Sequence, residues 1–443
     1  MYVLYSLALA AALVLSAPWW LLRMLRHHKY RDGLGERLGR VPQRLVAGAG
    51  GAARSIWVHA VSVGEVLAVS ELIAELRRRF SGRRVVISTT TATGQALARE
   101  RFGEENVFYF PLDLGFAVSA YLRVLRPELV ILAETEFWPN FLRLAKSTGA
   151  RVAVVNARIS DRSLAGYRRW RGLLAGVLRN VDVFLTQSDE DAQRLIEIGA
   201  EAGRVRVAGN LKFDVKTPVT ASGVALIRAA LERGGARPVV VCGSTLEGEE
   251  AILLKAFEVV SARYPAAVLI VAPRHPERFD AVAKLAESSG LRWWRRSQIR
   301  PEDAAHGGVL VLDTLGELAG VYALGALAFV GGSLVPRGGH NILEPAQHGV
   351  PILVGPHTEN FRDIIGIFAR HGGLRVVTSD TVLDAMLELL ADDSARSALG
   401  RRGAEVFRAQ AGATARTLAA LESLLEDAAA VPSTLPVAEK AAR

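Results

Sequence analysis

Residues 327–356 read Leu-Ala-Phe-Val-Gly-Gly-Ser-Leu-Val-Pro-Arg-Gly-Gly-His-Asn-Ile-Leu-Glu-Pro-Ala-Gln-His-Gly-Val-Pro-Ile-Leu-Val-Gly-Pro. An apolar run ends at Gly331-Gly332-Ser333, the chain breaks again at Gly338-Gly339-His340-Asn341, and a second apolar run follows at Val350–Val354. The pattern is a buried strand, a glycine loop, a helix start and another buried strand. Glycine lets a ligand approach the backbone, because no Cβ stands in the way. A helix start aims free N–H groups and a positive dipole end at that ligand, which favours phosphate. Glu344, one turn in, can reach sugar hydroxyls. The stretch is built to hold a nucleotide-linked sugar.

The same alternation extends outward from this stretch. Short apolar runs at Ile56–Val61, Val85–Thr89, Leu129–Ala133, Val152–Asn156, Val183–Thr186 and Val205–Val207 predict one set of strands. Val239–Cys242, Ala267–Ala272, Val309–Leu312, Leu327–Val330 and Pro351–Val354 predict a second. Helical patterns fall between them, including Glu65–Phe80, Gly94–Arg101, Phe116–Leu125, Asp189–Ile198, Glu247–Arg263 and Arg278–Ser288. Such alternation predicts α/β architecture with parallel sheets, and 443 residues suit two domains. The polar seam Thr217–Gly223 divides them: residues 31–216 form the first domain and 217–430 the second. A last helix at about Ala413–Ala429 precedes a Pro/Ala-rich tail, 431–443, expected to be disordered.

Tyr2 to Leu22 carries no charge and is long enough to span a bilayer. Trp19 and Trp20 stand where an interfacial aromatic belt would fall, and Arg23, Arg26, Lys29 and Arg31 follow. The positive-inside rule puts what comes after in the cytoplasm. Residues 1–30 are therefore expected to be an anchor and its basic flank. A cleaved signal peptide would want a basic start, which is absent. A helix lying in the interface is the third option.

Lys and Arg number 54 against 45 Asp and Glu, a net charge of +9. That surplus suits an anionic partner. The basic residues are dispersed and not interleaved with aromatics, which argues against nucleic acid and for a membrane surface or phosphorylated substrate. The single cysteine, Cys242, excludes an intrachain disulfide and sits in an apolar run, as a small core residue would. No His/Cys cluster has zinc spacing. Asp189-Glu190-Asp191 matches an Asp-x-Asp metal pattern, but after Thr186-Gln187-Ser188 it reads as a capped acidic first turn. No cofactor or metal is expected.

Polar residues at strand ends carry the candidate chemistry. Glu65, in Ser62-Val63-Gly64-Glu65, is either an acid favoured by a helix dipole or a general base able to deprotonate a sugar hydroxyl. Glu134 and Glu136 leave an apolar strand beside Trp138-Pro139, where burial demands partners. Lys212, in Asn210-Leu211-Lys212-Phe213-Asp214, can neutralise a leaving phosphate or simply be solvated. Arg274, after Pro273, offers a bidentate phosphate contact, while His275 reads as a loop hydrogen-bonder. Thr314-Leu315-Gly316-Glu317 scans as a capping box, and Asn341 with Glu344 fits a cap pair. Arg274, Gly316, Ser333 and Glu344 nevertheless all follow strands of one half-sheet.

Together, Ser62-Val63-Gly64-Glu65, Glu134–Asn140, Asn210–Asp214, Pro273-Arg274-His275-Pro276 and Gly339–Pro345 resemble the Kdo (3-deoxy-D-manno-octulosonic acid) transferases of lipopolysaccharide synthesis. The likeness runs from the N-terminal segment to the last helix, with Phe137 where Leu is common. It implies a GT-B fold of two Rossmann-like domains and an inner-membrane enzyme with cytoplasmic catalytic domains. It implies metal-independent, inverting transfer from CMP-Kdo to a lipid A precursor (lipid IVA) on the cytoplasmic leaflet. By likeness Glu65 is the general base, and Glu134 and Lys212 stabilise the transition state. Pro273, Arg274, Leu315, Gly316, Glu317, Asn341, Ile342, Leu343 and Glu344 would contact CMP; Ser62 and Glu136 match motif positions without an assigned role. The rival readings are a nucleotide-sugar epimerase on the same fold and a non-catalytic, membrane-tethered nucleotide-sugar binder.

Overall fold

Seven runs in the first half form one parallel sheet, all but the edge strand Val205–Val207 largely buried on both faces. Its strands are β1 (Ser55–His59), β2 (Arg84–Thr89), β3 (Val107–Tyr109), β4 (Pro127–Ala133), β5 (Arg151–Ala157), β6 (Val183–Thr186) and β7 (Val205–Val207). The computed structural model describes residues 2–27, 33–47, 54–215 and 221–430. Residues 217–220 of the expected seam Thr217–Gly223, the basic residues Lys29 and Arg31, and the tail from 431 lie outside the described residues, while Ala221–Gly223 open helix Ala221–Gly234.

The strand order β3-β2-β1-β4-β5-β6-β7 is doubly wound, reversing direction between β1 and β4. Side chains alternate across the sheet as a pleat requires. Trp57 enters one core with Phe108, Tyr121 and Phe141, while Ile56 and Val58 enter the other with Ile131 and Leu211. Helix Ala413–Ala430, which linear order assigns to the second half, packs on the first, where Leu421 is fully buried in that second core. Asp214 captures its start, accepting from Gly412 N at 2.7 Å and Thr414 N at 2.5 Å.

The second unit, Lys216–Gln410, has its own seven-stranded parallel sheet. Its strands are β8 (Val239–Thr245), β9 (Val268–Pro273), β10 (Trp293–Arg295), β11 (Gly308–Val311), β12 (Leu327–Val330), β13 (Ile352–Val354) and β14 (Arg375–Val376). The order β10-β11-β9-β8-β12-β13-β14 reverses between β8 and β12. Cys242 lies fully buried in β8, as its apolar run predicts. Open α/β sheets bind ligands at the carboxyl ends of the strands where the order reverses. Those ends are therefore where function is sought in each unit.

Every strand expected from an apolar run forms. The three missed, β3, β10 and β14, are two or three residues long and stand at sheet edges. Residues 65–80, expected as one helix, divide into Val63–Ala68 and Ser70–Arg79, because Val69 leaves helical geometry at φ −90°, ψ 0°.

Trp57 anchors the first unit, with ring centroids 4.9 Å from Phe141 and 5.3 Å from Phe108, and its indole N–H donates to Ser88 Oγ at 2.7 Å. Trp57→Ala removes the largest buried side chain of this core and is expected to cost about 3–5 kcal/mol of stability. Chemical denaturation should show an earlier transition for the first unit.

Candidate active site

β1 ends at His59 and the chain turns into helix Val63–Ala68 with extended Ser62 as its N-cap. Ser62 makes no side-chain cap bond to the helix backbone. Its hydroxyl instead donates to Glu65 Oε1 at 3.0 Å, and Val61 N donates to Oε2 at 2.8 Å. The carboxyl is half-buried. Burial raises its pKa to about 7, and Glu134 and Glu136 push the same way by like charge. The two hydrogen bonds oppose this shift only in part.

Glu134 is the first residue beyond β4, the strand beside β1. Its φ of +56° is left-handed, a conformation that non-glycine residues seldom adopt. Its amide still donates to Val155 O at 2.9 Å, so β5 holds the bend. Lys212 Nζ lies 3.9 Å from Glu134 Oε1, each side chain about a quarter exposed. Glu136 has a structural bond: the Trp138 indole donates to it at 2.9 Å, while burial raises its pKa. Glu65, Glu134, Glu136 and Lys212 are thus brought together at the point where the strand order reverses.

A polar ring fixes the backbone under Lys212. Asn156 Oδ1 accepts from Leu211 N at 3.0 Å, and its carbonyl accepts from Gln187 Nε2 at 3.0 Å. Asn210 Nδ2 donates to Gln187 Oε1, and Asn210 Oδ1 accepts from Lys212 N. Asn156 is buried, has a φ of +53°, and its Nδ2 has no partner. Sequence reading missed Asn156 and Gln187, because they look like ordinary strand-end residues. It also missed Asp113, whose carboxylate accepts from Asn140 N and Phe141 N and so caps helix Pro139–Ser147. Burial raises the Asp113 pKa to about 6 despite those bonds.

In the second unit the glycine loop after β12 is held by a residue that sequence reading passed over. Glu249, fully buried, accepts four backbone N–H bonds: from Leu246 at 2.9 Å, Gly332 at 2.7 Å, Ser333 at 2.9 Å and Leu334 at 2.9 Å. Gly332 is at φ +70°, and a Cβ there would meet the His340 ring at 2.8 Å. The chain then returns through Gly339, whose amide donates to Gly332 O at 2.7 Å.

Asn341 and Glu344 meet at the helix start, but Ile342 and not Asn341 is the N-cap: Asn341 Oδ1 accepts from Leu343 N at 3.1 Å and Asn341 Nδ2 reaches Glu344 at 3.5 Å. The helix that follows spans only Leu343–Gln347. It is too short for the strong dipole expected, so the loop amides and side chains carry the anion-binding potential. Ile342 and Leu343 have buried side chains, which leaves only their backbones to meet a ligand. Burial raises the Glu344 pKa, while Asn341 and Arg274 lower it. His340 is pushed down to about 4 by burial and by Arg274 and His275, so it is neutral at pH 7. Its Nε2 is buried and unpartnered. Arg274 is exposed, on a turn fixed by buried Pro273 and by its amide bond to Thr245 O. Arg274, His340, Asn341 and Glu344 therefore share one electrostatic neighbourhood.

Glu317 behaves differently. Arg296 clasps its carboxylate with two bonds of 2.9 Å, and Thr314 Oγ1 donates to it at 2.6 Å. The expected capping box does not form, because the short helix Leu318–Val321 has Glu317 as its N-cap and no side-chain cap bond. Leu315 is 72% exposed and Gly316 turns at φ +80°, so any ligand contact here falls to those two residues. Asp189-Glu190-Asp191 is a capped first turn: Asp191 N donates to Ser188 Oγ, and the Asp191 carboxylate accepts from Ile159 N. Among the described residues no group of three or more His, Cys, Asp or Glu is placed to hold a metal ion.

Residues 32–215 match the family described as 3-Deoxy-D-manno-octulosonic-acid transferase (kdotransferase). The chain is 38% identical over 441 residues to the 3-deoxy-D-manno-octulosonic acid transferase of Bordetella pertussis, a match covering 95% of this chain and 99% of that protein. This chain belongs to the 3-deoxy-D-manno-octulosonic acid transferases. The Haemophilus influenzae member is 32% identical over 403 residues, covering 90% of this chain and 92% of that one. The UDP-GlcNAc 2-epimerase of Neisseria meningitidis, solved with UDP-GlcNAc, aligns with a TM-score of 0.57 and 12% identity over 84% of this chain and 100% of that one. At that identity the likeness shows the fold alone: two Rossmann-like units of GT-B class. The Kdo transferase and the epimerase are therefore separated by sequence, not by architecture.

Glu249→Gln would set an amide NH2 against backbone donors and leave buried N–H groups unpaired, at about 1–3 kcal/mol each. Hydrogen exchange at Gly332, Ser333 and Leu334 should accelerate, and denaturation of the second unit should begin earlier.

Proposed function

We propose that this transferase moves Kdo from CMP-Kdo to a lipid A precursor, lipid IVA, with inversion and without a metal. The observation that carries the reading is Glu65: a carboxyl held by two donors, with a pKa raised to about 7 beside Glu134 and Lys212. A sugar hydroxyl is a poor nucleophile at neutral pH. A carboxylate whose pKa lies near the working pH is well matched to take its proton as the glycosidic bond forms.

The donor's reacting carbon is a ketose carbon that leaves through a phosphate of CMP. Phosphate departs as a stable anion, so no general acid is needed, unlike glycoside hydrolysis. Attack opposite the leaving group inverts the centre. The transition state develops positive charge on the sugar and negative charge on phosphate. Glu134 faces the first and Lys212 the second in this assignment. Arg274, the loop amides, Asn341, Glu344 and the Leu315-Gly316-Glu317 turn are assigned to CMP, with neutral His340 added as a contact. Pro273 fixes the turn, and Ile342 and Leu343 contribute backbone only. The basic surplus and an N-terminal helix apolar enough to cross a membrane suit a phosphorylated lipid acceptor on the cytoplasmic leaflet of the inner membrane.

Purified protein with CMP-Kdo and lipid IVA tests the assignment. Glu65→Gln should lower kcat about 10²–10⁴-fold while calorimetry finds CMP binding unchanged. Full transfer by that variant would remove Glu65 from the mechanism, and no transfer by the unaltered protein would remove the substrate assignment.

The pH profile follows from the raised pKa. As a base Glu65 must be ionised, so kcat/KM should rise about tenfold per unit below pH 7 and level above it. Ser62→Ala removes a donor that favours the ionised form, so the midpoint should move to higher pH. The stability effect has the opposite sign. A carboxyl that binds its proton more tightly when folded costs stability as it ionises. That cost accrues between the ordinary value of 4.5 and about 7. Glu65→Gln should flatten the loss of stability across that window, read by thermal unfolding at successive pH values.

A further inference from the structure

Helix α1 (Tyr2–His27) is long and apolar enough to cross a membrane, and none of its Tyr2–Trp19 window is buried. One face is nevertheless partly covered, at Tyr2, Tyr5, Ser6, Leu9, Leu13, Ser16 and Ala17. Those positions recur at the helical spacing, so a single stripe is shielded over about 22 Å at 1.5 Å per residue. The remaining positions up to Trp19 are open and wholly apolar, among them Val3, Leu4, Leu7, Val14 and Leu15.

The shielded stripe is fastened by polar bonds to the first unit. The Tyr2 hydroxyl donates to Gly176 O at 3.2 Å and accepts from Asn180 Nδ2 at 3.0 Å. The Arg143 guanidinium lies over the Tyr2 ring at 5.0 Å. The Tyr5 hydroxyl bonds to Asp113, and Ser6 Oγ accepts from Asn140 Nδ2 at 2.9 Å. Asp113 and Asn140 are themselves bonded to each other, so the clasp is part of the fold of that corner.

A transmembrane arrangement is incompatible with this clasp. If Trp19 marked one membrane face, Tyr2 would stand about 25 Å away, near the other. Asp113, Arg143, Asn140 and Asn180 would then have to enter the hydrocarbon or cross it, and charged groups there are costly. We propose that α1 lies flat in one leaflet, its clasped stripe against the first unit and its open apolar stripe in the acyl chains. The neighbouring surface fits the same occupant. Phe116, Trp170 and Leu173 are 65%, 61% and 50% exposed, three residues from Asp113 or on the helices leading to Gly176. Arg169, Arg171 and Arg179 are exposed on and just after those helices and suit anionic headgroups. A helix with one apolar face and satisfied polar groups on the other sits about 5–10 Å into the headgroup boundary.

This inference rests on the membrane association proposed above. The full chain, reconstituted in phosphatidylethanolamine/phosphatidylglycerol vesicles, tests it by depth-dependent nitroxide quenching of a fluorophore on single cysteines replacing Val3, Ala11, Val14 or Trp19; Cys242 is fully buried and stays unlabelled. Similar shallow depths at all four positions are expected. Ala11 at the bilayer centre, with Val3 and Trp19 in opposite leaflets, would overturn the flat arrangement and leave the membrane reading standing. Absence from the vesicles would overturn both. In the same vesicles a Ser6→Cys/Asn140→Cys pair should be bridged by a short bis-maleimide, at least tenfold more than Val14→Cys/Asn140→Cys. Equal yields would count against the clasp.

Discussion

Carboxylates taken out of water at the ends of parallel strands are the constraint on which both units turn. A buried anion is costly unless donors replace its hydration. Glu249 receives four backbone N–H bonds and organises the whole Gly331–Gly339 return. Asp113 receives two backbone N–H bonds and one from the Tyr5 hydroxyl, and orders the entry to helix Pro139–Ser147. Glu65 receives two donors in all, and burial with the like charge of Glu134 and Glu136 raises its pKa to about 7. The same side chain chemistry is thus structural or reactive according to how completely its charge is answered.

The topology determines where this accounting takes place. Between β1 and β4, and again between β8 and β12, successive connections leave the sheet on opposite sides. The loops part there, and the strand ends are open to a ligand. Backbone strain collects at the same ends. Glu134 follows β4 at φ +56°, and Ser244 lies near the end of β8 at φ +56°. A left-handed residue other than glycine costs about 1–3 kcal/mol and persists only where its surroundings hold it. The amide bond from Glu134 to Val155 O and those of the β8–β12 pair are that hold. Rigid parallel ladders thereby support side-chain geometry that a free loop would relax.

How far the sequence disclosed this depended on the range of each interaction. Strands inside longer apolar runs were legible, because burial on both faces leaves a continuous run. Among the edge strands, β7 was read, β10 and β14 are only two or three residues long, and β3 lies in the short buried run Val107–Phe110 that was overlooked. Glu65 was legible as a helix-start acid, but its unusual proton affinity was not. That arises first from burial and then from Glu134 and Glu136, which follow a different strand. Glu249 was passed over, since three of its four donors lie 83 to 85 residues away. Asp214 stood inside a recognised motif, yet its work as the cap of the returning last helix involves residues 198 and 200 positions on. Glu317 was a different case. Thr314 and Glu317 do bond, but side chain to side chain ahead of a helix that starts only at Leu318, so the capping-box reading failed; the carboxylate is occupied by Arg296, which no spacing rule could supply.

The separation of Lys212 from Glu134 follows the same logic. At 3.9 Å, with both groups partly exposed, the pair is close enough to interact and too loose to be a tight hydrogen-bonded bridge. A tighter pair would neutralise Glu134 and remove part of the repulsion that keeps the Glu65 proton affinity high. A missing lysine would leave Glu134 and Glu136 to repel any anion approaching the strand ends. The intermediate distance retains both properties. In the proposed mechanism, an anion that drew Lys212 toward itself would weaken its hold on Glu134, and the freed charge would raise the proton affinity of Glu65 further. Coupling of this kind needs no moving backbone, only a shared lysine between two acids of unequal need.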